Sequence, residues 1–373
     1  MERSRTHSGT SSDVRGKIAN NVKFGLAQPD HSQPILGGSM KKITALFTAL
    51  ALMLCPLTLV GCGDDGKTTV RLCEVTHSIF YAPLYIAINN GYFADENINL
   101  KLSNGGGADK VMTAVISGSA DIGLMGPEAT IYCHVEGQRN YPVIFGQLTA
   151  CDGSFLVGRR PEPDFDWSNL AGKHVLAGRP GGVPAMTLQW VLNQHGVNTN
   201  TPLFDTSVAF DAMVGTFDTD KSIDYTTMFE PTASEYVALG KGYIVASVGE
   251  ASGEVPYTAF SAQKSWLKSN NKTAKAFLRA VLRGYQYMVN NTPETVAKSL
   301  VKSFPGTTEQ SAVYAINSYL AINAWSTTPV MSETAFNRLQ DIMENAGTLK
   351  SRADYNLAVN NNIANELVKE LEM

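Results

Sequence analysis

Cysteine is scarce in this chain, five in 373 residues, and no CxxC pair or Cys/His cluster at zinc-ligand spacing occurs. A disulfide-framed scaffold is therefore excluded, and no metal site is indicated. His77, His134, His174 and His195 are just as dispersed. Charge is also sparse: 17% of residues are Asp, Glu, Lys or Arg, and the formal net charge is −4. Without an arginine-rich stripe or a basic surface, the chain lacks what nucleic acid requires, so no nucleic-acid partner is expected. Catalytic signatures are missing too. There is no Gly-Lys-Ser/Thr after a glycine-rich turn, no nucleophile elbow and no HExxH. These absences argue against an enzyme, and no cofactor is expected.

Long apolar runs are limited to one. Met40-Lys41-Lys42 precede apolar residues 43–60, and the run ends in Leu59-Val60-Gly61-Cys62. A charged start, an apolar stretch and small residues before a cysteine make a bacterial lipoprotein signal. A membrane-spanning helix is the alternative, because about eighteen apolar residues just reach bilayer length. Pro56 and the polar Thr44, Thr48 and Thr58 count against it. Residues 40–61 are thus expected to be a signal peptide. Cys62 is expected to carry lipid, and 62–67 to tether the rest to the extracytoplasmic face of a bacterial cell membrane. Residues 1–39 are polar and without period, and read as a disordered leader upstream of a true start at Met40. With Cys55 lost in the signal, Cys73, Cys133 and Cys151 remain, expected as buried free thiols with at most one bridge.

About 312 residues then follow, enough for two lobes. Strand patterns at 68–75, 98–102, 121–125 and 143–148 alternate with helical patterns at 81–90, 108–117 and from Pro127 to Gly137. A further strand fits at 155–157. Residues 161–167, with three acids and two prolines, read as a crossover. A second α/β unit follows, with strands at 173–177, 206–210 and 243–248 and a helix at 184–194. Past residue 262 the chain is helical. Ala276, Phe277, Ala280, Val281 and Gly284 form a stripe, Thr292-Pro293 starts a helix, Thr307 with Gln310 forms a capping box, and Ser332 precedes a helix stopped by Gly347. The expected fold is α/β with two lobes, each a mostly parallel sheet covered by helices: lobe 1 from 68–158 plus 262–373, lobe 2 from 159–261, and the C-terminal helices packed on lobe 1.

Candidate site residues lie where open α/β sheets place ligands, beyond the carboxyl ends of strands. His77, Ser78, Phe80 and Tyr81 follow the first strand and offer aromatic stacking and hydrogen bonds, or simply core and turn. Gly106-Gly107 and Arg179 with Gly181-Gly182 are strand-to-helix turns, read either as anion cradles or as turns that need positive φ. Arg179 suits a carboxylate, sulfonate or phosphate, or one of the nearby acids. Gly126-Pro127-Glu128 and Phe229-Glu230-Pro231 each place a carboxylate at a helix start, where the helix dipole alone would also favour it. Asp152 and Ser154 leave the same choice between turn and ligand contact. Tyr257 lies at the return crossing and joins the set.

Residues 90–98, with Gly91-Tyr92-Phe93, and the segment from Gly107-Ala108-Asp109 to Ala120-Asp121-Ile122-Gly123 resemble type II solute-binding proteins of ABC importers. The branch is the one for nitrate, sulfonate, riboflavin and thiamine-pyrimidine precursors, and the likeness spans nearly all of 68–373. The resemblance implies hinged lobes closing on a small solute, and permease and ATPase partners. It implicates the turn after the first strand, Gly106-Gly107, Gly126-Pro127, Ser154, Arg179-Gly181-Gly182 and Glu230. A eukaryotic relative that builds the thiamine pyrimidine carries a cysteine-rich motif absent here. A monomer binding a planar nitrogen-bearing solute is the leading expectation, with a sulfonate or nitrate as the rival. An exported pyrimidine-synthase-like enzyme and a sensing lipoprotein are the other readings.

Overall fold

The computed structural model describes residues 66–372, so the leader, the signal peptide and Cys62 lie outside the described residues. No helix among the described residues is long and apolar enough to cross a membrane.

Two five-stranded mixed sheets organise the chain. The first has the order β2-β1-β3-β10-β4, formed by β1 (Thr68–Glu74), β2 (Ile98–Asn104), β3 (Ile122–Met125), β4 (Pro142–Thr149) and β10 (Thr258–Gln263). The second has the order β7-β6-β8-β5-β9, from β5 (Ser154–Gly158), β6 (Val175–Leu176), β7 (Phe204–Asp205), β8 (Tyr225–Phe229) and β9 (Tyr243–Ser247). In the first, β1 pairs in parallel with β2 and β3, while β10 runs antiparallel between β3 and β4. Strands β3 and β4 are buried on both faces, as expected where helices cover a sheet.

Two strand assignments depart from the sequence reading. That reading places residues 155–157 in lobe 1, but β5 hydrogen-bonds to β8 and β9, so the chain first crosses at 150–153 rather than near residue 159. The proline-rich stretch that suggests the crossing is a surface loop leading to a short 3-10 turn, Trp167–Leu170. No strand forms at the expected 206–210; the edge strand β7 lies just before it, at Phe204–Asp205, and Phe210 begins a 3-10 turn. Asp205 accepts hydrogen bonds from the Ser207 amide and hydroxyl, which turns the backbone out of the ladder before Phe210.

The helices used below are α1 (Ala82–Asn89), α2 (Ala108–Ser117), α3 (Glu128–Val135), α4 (Val183–Gln194), α5 (Thr232–Ala238), α6 (Asn271–Val289), α7 (Pro293–Leu300), α8 (Glu309–Ala321), α9 (Glu333–Asn345) and α10 (Asn362–Glu370). Phe277, Ala280, Val281 and Gly284 of the expected stripe are buried on α6, which packs on α1. Contact is so close that a Cβ on Gly284 would stand 2.0 Å from the Pro83 carbonyl oxygen. Thr292 and Ser332 cap as expected, but the cap before α8 is Thr308, accepting from the Ser311 amide, one residue past the Thr307 box. Helix α10 and the segment before it lie against β4, where Asn360 donates its amide to the Ile144 carbonyl. Helices α8 and α9 also reach the second sheet's unit: the Glu230 amide donates to the Tyr319 hydroxyl, and Asn193 Nδ2 donates to Asn345 Oδ1. Cys73, Cys133 and Cys151 are buried free thiols.

Candidate ligand-binding site

Strand ends from both sheets converge on a cavity of about 220 Å³. From the first sheet come Val75 and Thr76 after β1, Gly106 and Gly107 after β2, Gly126 and Glu128 after β3, and Tyr257 and Thr258 at the start of antiparallel β10. The second supplies Arg179 and Gly182 after β6, Phe210 after β7 and Phe229 at the end of β8. Every one of these strands delivers the end its direction requires, which is why short segments far apart in sequence share one space.

Glu128 is the dominant polar group. Its side chain is buried, Oε2 has no hydrogen-bond partner, and burial pushes the carboxyl up to about 7 against the opposing pull of Arg179 and nearby amides. Gly126 is obligatory beside it, since a Cβ there would meet Oε2 at 2.0 Å and Val183 at 2.9 Å. Arg179, from the opposite sheet, stands 3.9 Å from Glu128 Oε1 and 3.4 Å from Asp109 Oδ1. Its guanidinium therefore already faces two carboxylates. Tyr81, Phe210, Phe229 and Tyr257 line the walls, and Tyr81 and Tyr257 are both buried. Burial raises both phenols well above their ordinary value, so each is a neutral hydroxyl.

Of the candidates read from sequence, Tyr81, Gly106, Gly107, Gly126, Glu128, Arg179, Gly182 and Tyr257 line this cavity. The others lie elsewhere, and each has a structural task. His77 points away: Nδ1 is 3.0 Å from Glu74 Oε1 and 2.8 Å from the Tyr85 hydroxyl, and Nε2 is 2.7 Å from the Ser303 carbonyl. The bond to Glu74 raises its pKa. Ser78 accepts from the Phe80 amide and donates to the Glu230 carbonyl, which ties the two lobes. Phe80 is core, stacked behind the wall on Phe229, Tyr257 and Tyr319. Pro127 is the N-cap of α3. Glu230 is engaged at the start of α5, with Oε1 and Oε2 accepting from the Ser234 hydroxyl and amide. Gly181 has φ of +71° and accepts from the Tyr132 hydroxyl through its carbonyl. Asp152 and Ser154 bond to each other one layer behind the cavity. The sequence reading misses Thr76, Asp109, Lys110, Phe210 and Phe229 as lining residues. The strand-end rule could have found Thr76, whereas Phe210 is hidden by its assignment to a strand. Among the described residues no group of His, Cys, Asp and Glu could hold a metal ion.

Comparison with known proteins agrees with this architecture. A Bacillus subtilis (strain 168) protein named as a binding protein, YtlA, is 36% identical over 329 residues, covering 88% of this chain and 96% of that protein. The nitrate-binding protein NrtA of Synechocystis PCC 6803 superposes with a TM-score of 0.65 at 17% identity, covering 82% of this chain and 89% of NrtA. The alkanesulfonate-binding protein SsuA of Xanthomonas axonopodis pv. citri, solved bound to MOPS, superposes with a TM-score of 0.63 at 14% identity, covering 79% of this chain and 98% of SsuA. At such identities the two structures establish the periplasmic-binding-protein fold alone. The NMT1/THI5-like family profile matches residues 79–295, and with the extended likeness to YtlA this chain belongs to that family.

Proposed function

We propose that the chain is a lipid-anchored, extracytoplasmic solute-binding protein of an ABC importer, which holds a small planar nitrogen-bearing solute between its lobes and passes it to a permease. It acts as a binder, not an enzyme, and Cys62 is its lipid attachment site. One observation carries the ligand class: a buried carboxylate with an unpartnered oxygen, Glu128, faces a cavity walled by aromatic rings. An orphaned buried acceptor costs about 1–3 kcal/mol, and an N–H of a ring amine or protonated ring nitrogen removes that cost. Aromatic walls favour a flat ring.

A sulfonate or nitrate is the rival reading, supported by Arg179 and Lys110 at the cavity. Against it, Arg179 is already matched by Asp109 and Glu128. Thermal-shift and calorimetric titration with 4-amino-5-hydroxymethyl-2-methylpyrimidine, riboflavin, MOPS and nitrate separates the readings. The pyrimidine is expected to stabilise the protein. Stabilisation by MOPS or nitrate with none by the pyrimidine would overturn the ligand class, and turnover of any probe would overturn the binder. Labelled palmitate should enter the protein in a bacterial host and be lost in Cys62→Ser.

A further inference from the structure

Behind the cavity wall lies a second orphaned acid. Asp152 sits on the first crossing between the sheets, at 150–153, and Tyr257 on the return crossing, at 253–257. The two crossings run side by side, with the Val255 amide donating to the Ala150 carbonyl. Asp152 is fully buried. Its Oδ1 accepts from the Ser154 amide at 2.7 Å and hydroxyl at 2.6 Å, while Oδ2 has no partner. The buried Tyr257 hydroxyl likewise has none. Burial is the main cause that raises both groups; beyond it the Asp152 charge raises the Tyr257 hydroxyl and that hydroxyl lowers Asp152, while no hydrogen bond joins them in this structure.

We propose that Asp152 is a positioning residue for ligand recognition: its free oxygen accepts the Tyr257 O–H, so that Tyr257 turns acceptor lone pairs toward the cavity. The inference rests on the ligand-binding reading of that cavity and deepens it. An ionised carboxylate has no proton to give, so the hydroxyl proton between the two must belong to Tyr257. Beside Glu128, the cavity floor then presents two acceptors, and its complement is a solute edge with two N–H donors, such as an amine next to a protonated ring nitrogen. A sulfonate or nitrate, acceptor only, finds no donor there. Protonation reverses the polarity, because a neutral Asp152 donates to the Tyr257 oxygen and frees its O–H for the cavity.

Burial pushes Asp152 up to about 7, so this reversal falls near neutral pH. The ionisable groups around the pair are Cys151 beside Asp152, Tyr81 from the turn after β1 and Glu128 from α3. The Cys151 thiol is pushed up to about 12 and burial raises both phenols well above their ordinary value, which leaves Glu128 as the other group titrating in this range.

Infrared difference spectra of the full mature chain between about pH 5 and about pH 9 test the pair without any ligand. Two buried carboxylic-acid bands are expected in the wild type, one lost in Asp152→Asn and the other in Glu128→Gln. Tyr257→Phe, which keeps the ring and its packing, should raise the midpoint of the Asp152 band by removing the donor that favours the ionised form. An unmoved midpoint in that variant overturns the proposal. With the aminopyrimidine as probe at about pH 8, Asp152→Asn should weaken binding roughly tenfold, since the new amide donates to Tyr257 and turns its O–H inward. It should also flatten the affinity–pH profile that Glu128 leaves. Equal affinity in the two proteins overturns the proposal. If no probe binds any form, the solute assignment fails, while the infrared midpoint still decides the pair.

Discussion

Replacing Glu128 by glutamine changes one atom and leaves the packing of the cavity intact, so its effect on stability isolates the cost of burying this charge. The ordinary value of 4.5 is raised to about 7 in the folded protein. At about 1.4 kcal/mol per pH unit, that gap opposes folding by roughly 3 kcal/mol once both folded and unfolded forms are ionised. The sign follows from proton counting. Between pH 4.5 and about 7 the folded state holds a proton that the unfolded state has released, so stability falls as pH rises through this window and is level above it. The variant has nothing to titrate at this position. Urea unfolding followed by circular dichroism from about pH 4 to about pH 8 should therefore show the stability difference, Glu128→Gln variant minus wild type, rising by roughly 3 kcal/mol. Acids elsewhere cancel in this difference. A difference that stays flat across the window would refute the claim that burial outweighs what Arg179 and the nearby amides supply to this carboxyl.

Three further outcomes follow from geometry. Gly284→Ala adds the better helix former to α6, worth about 1 kcal/mol, but forces a Cβ to 2.0 Å from the Pro83 carbonyl, so the melting temperature should fall instead of rise. Tyr319→Phe strips the partner from the buried Glu230 amide and should cost about 1–3 kcal/mol by urea midpoint, with looser lobe contact seen as faster amide exchange at Glu230. Arg179→Gln should weaken a pyrimidine by less than about fivefold in calorimetry, whereas a sulfonate held by this guanidinium would lose roughly ten- to a hundredfold.

How much of this is legible in the sequence depends on the range over which each feature is determined. Most strand and helix periods, the caps at Thr292 and Ser332, and the stripe on α6 are local, and the structure has them where the pattern puts them, the strand expected at 206–210 excepted. Glu128 and Arg179 are legible as candidates because a strand followed by a turn and a helix start puts a side chain at the sheet's edge whatever the rest of the fold. What fails is non-local. The sheet that receives β5 is decided by pairing with β8 and β9, about seventy and ninety residues downstream, and no pattern inside Phe155, Leu156 and Val157 encodes that choice. Phe210 is lost because an apolar run beside a strand looks like more strand, until Asp205 captures the Ser207 amide. His77 and Glu230 are candidates by residue type, and only their neighbours reveal that both are fully used in holding turns.

That last distinction separates fully paired acids from bare ones here. Four carboxylates are almost completely buried among the described residues: Glu74, Glu128, Asp152 and Glu230. Glu74 is matched by His77 and Tyr85, and Glu230 by both groups of Ser234. These two are fully paired, as buried charges normally are, and they secure the turn after β1 and the start of α5. Glu128 and Asp152 each keep one bare oxygen, and each carboxyl is pushed up to about 7 as a result of its burial. An apolar residue of similar size would remove that cost at either position. Both bare acids nevertheless belong to the same place, one lining the cavity and the other directly behind its Tyr257 wall. Stability does not account for retaining them there; on the proposed reading Glu128 takes its missing donor from a solute and Asp152 takes its own from the Tyr257 hydroxyl.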